Sequence, residues 1–165
     1  MPPSSKAPAV PSGAWPVLFT PFNEAGWVDY NALEELVDFY IEGGVAGLFL
    51  NCLSSEVFSL DVEEMLEIAR RVVHRVRGRV GVVAGGNVGA DLAEQARCLD
   101  GIYATGVDAT VVIVSVLPSP HDLAGQLLEL CDLTPVPLGL YECPVPEHRL
   151  LSPEEVARVA ASNRF

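Results

Sequence analysis

The chain has 165 residues, 50% of them hydrophobic, and carries 10 Lys and Arg against 22 Asp and Glu, a formal net charge of −12. That is enough apolar material for one packed domain. So acidic a chain lacks the clustered cations that nucleic acid and anionic membrane surfaces need, which excludes both as partners, and no apolar run approaches the ~20 residues of a membrane-spanning helix.

Residues 1–13 are Pro- and Ser-rich and too polar for a secretory signal; they are expected to form a disordered leader. The chain's single lysine, Lys6, lies there. From residue 14 to 165 the pattern is that of one domain, in which a short apolar run followed by a capped amphipathic segment recurs about every 30 residues. A strand is expected over Ala14–Phe19. Asp29 then caps a helix with Leu33, Leu36, Val37, Tyr40 and Ile41 on one face, ended at Gly43-Gly44. A second strand, Val45–Leu50, runs into Cys52-Leu53-Ser54-Ser55-Glu56. Asp61-Val62-Glu63-Glu64 opens the next helix, which carries Leu66, Ala69, Val72, Val73 and Val76 inward and stops at Gly78. The third strand, Val80–Ala84, leads into Gly85-Gly86-Asn87-Val88-Gly89. Asp91 caps a helix that ends at Gly106. A fourth strand, Ala109–Val114, precedes Ser119-Pro120-His121-Asp122, read as a helix start with Ser119 as cap and His121 in the first turn. The fifth strand, Val136–Leu140, delivers Tyr141, and Ser152-Pro153-Glu154-Glu155 starts the last helix with a capping box. A sixth strand is expected to begin where the chain ends, at Phe165.

The strands are Val/Leu/Ile-rich without alternation, as strands covered on both faces should be. Strands alternating with helices at this period make the fold class α/β with a parallel sheet. An open doubly wound sheet and a TIM (β/α)8 barrel both satisfy the pattern, and periodicity does not separate them.

Several short motifs bear on chemistry. The glycines at 85, 86 and 89 follow a strand, as a phosphate loop would, but the spacing is not GxGxxG and no acid follows at the ribose-binding distance; a tight turn is the plainer reading. Ser54 and Ser55, at the carboxyl end of a strand, suit a carboxylate ligand, because short donors and backbone N–H groups converge there; alternatively the serines satisfy their own turn. Tyr141 is a phenol at the end of a strand, fit to move a proton or to sit at the core edge. His74, His121 and His148 have no metal spacing. Cys52, Cys98, Cys131 and Cys143 lack CxxC spacing and read as free thiols, in keeping with a cytoplasmic setting.

Taken in order, Pro16-Val17-Leu18-Phe19-Thr20-Pro21-Phe22, Gly26-Trp27-Val28-Asp29, Gly44-Val45-Ala46-Gly47-Leu48, Ser54-Ser55-Glu56, Val83-Ala84-Gly85, Gly106-Val107-Asp108-Ala109 and Leu140-Tyr141-Glu142-Cys143-Pro144 resemble the dihydrodipicolinate synthase/N-acetylneuraminate lyase family. The resemblance covers roughly residues 14 to 160. It implies a class I aldolase barrel, present here as about its first five βα units, so an incomplete barrel. It also implies a lyase that takes pyruvate or a related 2-oxo acid as a Schiff base on a lysine of the sixth strand, with no metal or organic cofactor, working as a homo-oligomer (dimer or tetramer). By that resemblance Tyr141 is the proton relay, Ser54 and Ser55 belong to the carboxylate-binding loop, and Glu56 braces its turn. The Schiff-base lysine is expected beyond Phe165, so the 165-residue chain alone is expected to be inactive. The departures are specific. Leu53 and Cys52 replace a hydroxyl residue and a glycine, Glu142 replaces an asparagine, no tyrosine stands in Ser115-Val116-Leu117-Pro118, and the expected arginine is displaced, with Arg149 the nearest candidate. They favour a 2-oxo acid lyase other than the lysine-biosynthesis enzyme. The alternative is a non-catalytic half-barrel that binds a small acid or assembles with a partner chain.

Overall fold

A computed structural model of the chain describes residues 10–143, 149–162 and 165. Lys6, Pro144 and His148 therefore lie outside the described residues, as does most of the expected leader, of which Val10–Gly13 are seen as exposed chain. Helices and strands alternate: α1 (Tyr30–Glu42), β1 (Gly47–Leu50), α2 (Val62–Val76), β2 (Gly81–Gly85), α3 (Leu92–Ala104), β3 (Ala109–Ile113), α4 (Leu123–Leu133), β4 (Leu138–Tyr141) and α5 (Pro153–Ala160).

The sheet is parallel throughout, in the order β1-β2-β3-β4. Strand order that never reverses, joined by right-handed helical crossovers, places every helix on one side and lets the sheet's twist curl it toward closure. This excludes the doubly wound alternative, which needs a reversal of strand order. The fold is part of a TIM (β/α)8 barrel.

The expected first strand takes a different form. Val17 bridges Phe49 in parallel, with Leu18 N donating to Phe49 O at 2.9 Å and Phe49 N donating to Pro16 O at 3.0 Å, but no regular ladder develops. Pro16 is the reason, since it has no N–H to give β1. The segment extends the sheet beyond β1 all the same, so five βα units are present.

Helix starts follow the side-chain chemistry closely. Asp61 with Glu64, and Ser152 with Glu155, form reciprocal capping boxes, and Pro153 occupies the first turn. Asp29 and Asp91 cap α1 and α3. The start of α4 departs from expectation: Asp122, not Ser119, is the cap, with φ 47° and its carboxylate accepting from Gly125 N. Ser119 instead accepts from His121 N, a local turn that competes with helix entry, so His121 lies ahead of the helix.

The convex face of the sheet is buried by two apolar clusters. One joins α1, α2 and the β1–β2 region through Leu33, Val37, Leu48, Ile68 and Val72; the other joins α4, β3 and β4 through Val112, Leu127, Leu130 and Leu138. Burying each such side chain contributes about 1.5–3 kcal/mol. The concave face differs. Phe49, Val83, Val111, Gly139 and Tyr141 line an open trough of about 1030 Å³, with Trp15 at one end.

Candidate active site

Ser54, Ser55 and Tyr141 fall at the carboxyl ends of the strands, where a parallel barrel gathers its loops. After β1 the chain turns sharply through Asn51 (φ 51°) and Glu56 (φ 59°), enclosing a 3-10 turn over Leu53–Ser55. Left-handed geometry at two non-glycine residues is strained, and the surroundings hold it. Asn51 Nδ2 donates to Met65 O at 3.2 Å, and the Asn51 carbonyl lies against Gly85, where a β-carbon would collide with it. That contact explains Gly85 in a position where the sequence offered a phosphate loop. Asn87 completes the tight turn: fully buried, it accepts from Ile113 N at 2.8 Å and donates to Ile113 O at 3.1 Å and to Gln95 Oε1 at 3.2 Å. Its amide is thereby turned inward onto β3.

Ser54 and Ser55 are neighbours with opposite environments. Ser54 is exposed, its hydroxyl at the surface of the turn. Ser55 is fully buried: its Oγ donates to Leu18 O at 2.8 Å and lies 3.5 Å from Cys52 Sγ. Thr20 Oγ1 in turn donates to Ser55 O at 2.7 Å. These bonds stitch the end of the N-terminal segment to the turn after β1. Thr20 was not singled out by the sequence; its place within the Pro16–Phe22 motif was the available signal. Glu56 is exposed, and its carbonyl accepts from Ser59 N at 2.8 Å.

Tyr141 ends β4, paired with Ile113 of β3. Its ring meets Phe49 edge to face, 5.4 Å between centroids and 77° between planes. Burial, then a hydrogen bond with Cys143, then the charges that Cys143 and Cys52 would carry as thiolates push the phenol up to about 12. Tyr141 is therefore protonated at neutral pH. Cys52, Cys98 and Cys131 are buried and Cys143 half-buried, all as free thiols. Beyond β4, Glu142 Oε1 accepts from Leu151 N at 2.6 Å, and Arg149 Nη1 donates to Leu117 O at 2.6 Å. Arg149 thus reaches the turn after β3. Two buried polar atoms, Asn51 Oδ1 and Ser115 Oγ, lack a partner among the described residues; both lie just past strand ends.

The arrangement offers an exposed hydroxyl and a proton-bearing phenol; the apolar trough meets it only at Phe49 and Tyr141 and extends toward the amino ends of the strands, past Trp15, Gly44, Gly78 and Gly106. The chain's likeness to known proteins is close. The family model described as "Dihydrodipicolinate synthetase family" matches residues 10–164. The 4-hydroxy-tetrahydrodipicolinate synthase of Pseudomonas aeruginosa is 30% identical over 152 residues, covering 90% of this chain and 51% of the relative. A solved dihydrodipicolinate synthase superposes with a TM-score of 0.80 at 30% identity, over 92% of this chain and 53% of that one. YagE, an E. coli K12 prophage protein of the dihydrodipicolinic acid synthase family solved in complex with pyruvate, gives 0.80 at 30% identity, over 91% and 51%. The chain spans about half the length of the curated relatives it matches.

Proposed function

The chain belongs to the dihydrodipicolinate synthetase family, and from that premise we propose that it supplies the carboxylate-binding turn and the proton relay of a Schiff-base-forming lyase. The complete protein acts on pyruvate or a related 2-oxo acid, with the amine nucleophile on a strand following Phe165. It works in the cytoplasm as a homo-oligomer. The observation that carries this reading is the family match over residues 10–164, with the Tyr141 phenol ending one strand and the Ser54–Ser55 turn following another at the same end of the parallel sheet.

The chemistry follows from the groups. An iminium formed from the keto carbon and an amine withdraws electrons from the adjacent carbon more strongly than the ketone does, which opens C–C cleavage or enamine formation. Water must leave and a proton must move as the iminium forms. Addition of the amine to the keto carbon frees a proton from its nitrogen; Tyr141, protonated at neutral pH, donates to the hydroxyl that leaves as water and takes that proton in return. Ser54 donates its hydroxyl to the substrate carboxylate, and Ser55 keeps the turn in shape through its bond to Leu18. Leu53 offers no hydroxyl, so the carboxylate site is less polar than a pair of hydroxyl residues would make it.

Borohydride reduction in the presence of pyruvate, read by intact mass, tests the proposal. The 165-residue chain is expected to gain no adduct, and the reading frame continued past Phe165 to gain one on a lysine. An adduct on the 165-residue chain, or none on the longer one, overturns it. A second reading, a binding half-barrel closed by a partner chain, is favoured by the open trough alone; it predicts a discrete soluble dimer and no adduct at either length.

A further inference from the structure

Phe49 and Tyr141 come from opposite ends of the sheet, on β1 and β4, with β2 and β3 between them. Their rings nevertheless meet at 5.4 Å in an edge-to-face arrangement, because the sheet curls and the intervening concave positions are smaller: Val83, Ala109 and Val111. The two residues are anchored very differently. The Phe49 backbone is held on both sides, by Pro16 and Leu18 of the N-terminal segment and by pairing with Val83 of β2. Tyr141 is the last residue of β4, where the pairing with β3 among the described residues ends. A phenol at the end of such a strand has more than one staggered orientation open to it, and backbone pairing does not choose among them.

We propose that Phe49 is the positioning residue for Tyr141: its ring edge fixes the phenol toward the Cys52–Ser55 turn and forms the floor on which a small 2-oxo acid rests. The inference deepens the reading of Tyr141 as proton relay and rests on it. The floor also bears on substrate class. With the two rings meeting edge to face beneath the phenol oxygen, substrate enters from the loop side and its reactive carbon lies above the pair. The ionisable groups acting on the phenol are the thiols of Cys143 and Cys52; Phe49 and Ile113, its neighbours on β1 and β3, carry none.

The test uses the full chain labelled with 13C at the tyrosine Cζ, with Tyr141→Phe to assign the Tyr141 signal. In the wild type, with the phenol pushed up to about 12, the Tyr141 signal stays at its protonated position through mildly alkaline pH. Phe49→Leu admits water to the ring, and the ionised fraction of Tyr141 at a given pH is expected to rise about tenfold, a shift of about one unit. Phe49→Trp, which restores an aromatic edge, is expected to return the wild-type behaviour. Phe49→Leu leaves the signal of Tyr30, on α1 with Arg71 over its ring, as it is in the wild type. An unchanged Tyr141 titration in Phe49→Leu, failure of Phe49→Trp to restore it, or equal movement of Tyr30 each overturns the proposal. Failure of borohydride trapping sinks the lyase reading without altering this titration, so the two failures are distinguishable.

Discussion

Ser54 and Ser55 are alike in the sequence and unlike in the fold. Removing the Ser55 hydroxyl leaves the buried Leu18 carbonyl without its donor, so Ser55→Ala is expected to cost about 1–3 kcal/mol of stability in urea or thermal unfolding. Ser54→Ala, at an exposed hydroxyl, is expected to stay within about 0.5 kcal/mol and to weaken 2-oxo acid binding in the complete protein. Equal losses in the two variants contradict this division of labour. The places of Tyr141 and the serine pair at strand ends were legible, because they follow from the apolar run before them. The contacts of Thr20, Phe49 and Asn87 were not, since each meets a residue distant in the chain: Ser55, Tyr141 and Ile113. No local pattern encodes which strand end will be near which.

Helices α1 and α2 are tied on their outer face by Glu34 and Asp38 against Arg71, Arg75 and Arg79, with Glu67 pairing with Arg71 within α2 and Arg71 lying over the Tyr30 ring at 4.5 Å. Hydrogen bonds from Arg75 and Arg79 hold the Asp38 carboxyl below its ordinary range, and Arg71 does the same for Glu67. A carboxylate depressed in the folded state contributes stability that is complete above its unfolded value and fades as pH falls through the folded one. The thermal midpoint is therefore expected to drop on acidification below about pH 4, and Asp38→Asn should flatten part of that drop; parallel curves for the two proteins would sink the assignment. Exposed pairs of this kind are individually weak, so the effect is a matter of the network. At this scale the sequence read well wherever one residue type has one job, as with the boxes at Asp61 and Ser152. It failed at Ser119-Pro120, where the same signal also encodes a turn, and at Ala14–Phe19, where apolar character was present but Pro16 denied the ladder a donor.

At the scale of the molecule, β2 and β3 are bonded on both sides, whereas β4, among the described residues, is bonded only to β3. Amide hydrogen exchange is expected to be slowest in Gly81–Gly85 and Ala109–Ile113 and faster in Leu138–Tyr141; uniform protection across the sheet would mean that something already pairs with β4. The choice between barrel and open sheet was beyond the periodicity, because both use the same elements and differ in the order in which strands become neighbours. The trough on the concave side ends at Trp15, whose indole lies flat across Gly47 and Gly81, with no room for a β-carbon at either position. Trp27, the other indole, is 67% exposed. The protein thus carries a built-in optical gauge: Trp15 fluorescence, read against the solvent-like emission of Trp27, reports how wet the lower mouth of the sheet is. A blue shift on adding any further strands or chains would register the sealing of that mouth directly, in solution and without a label.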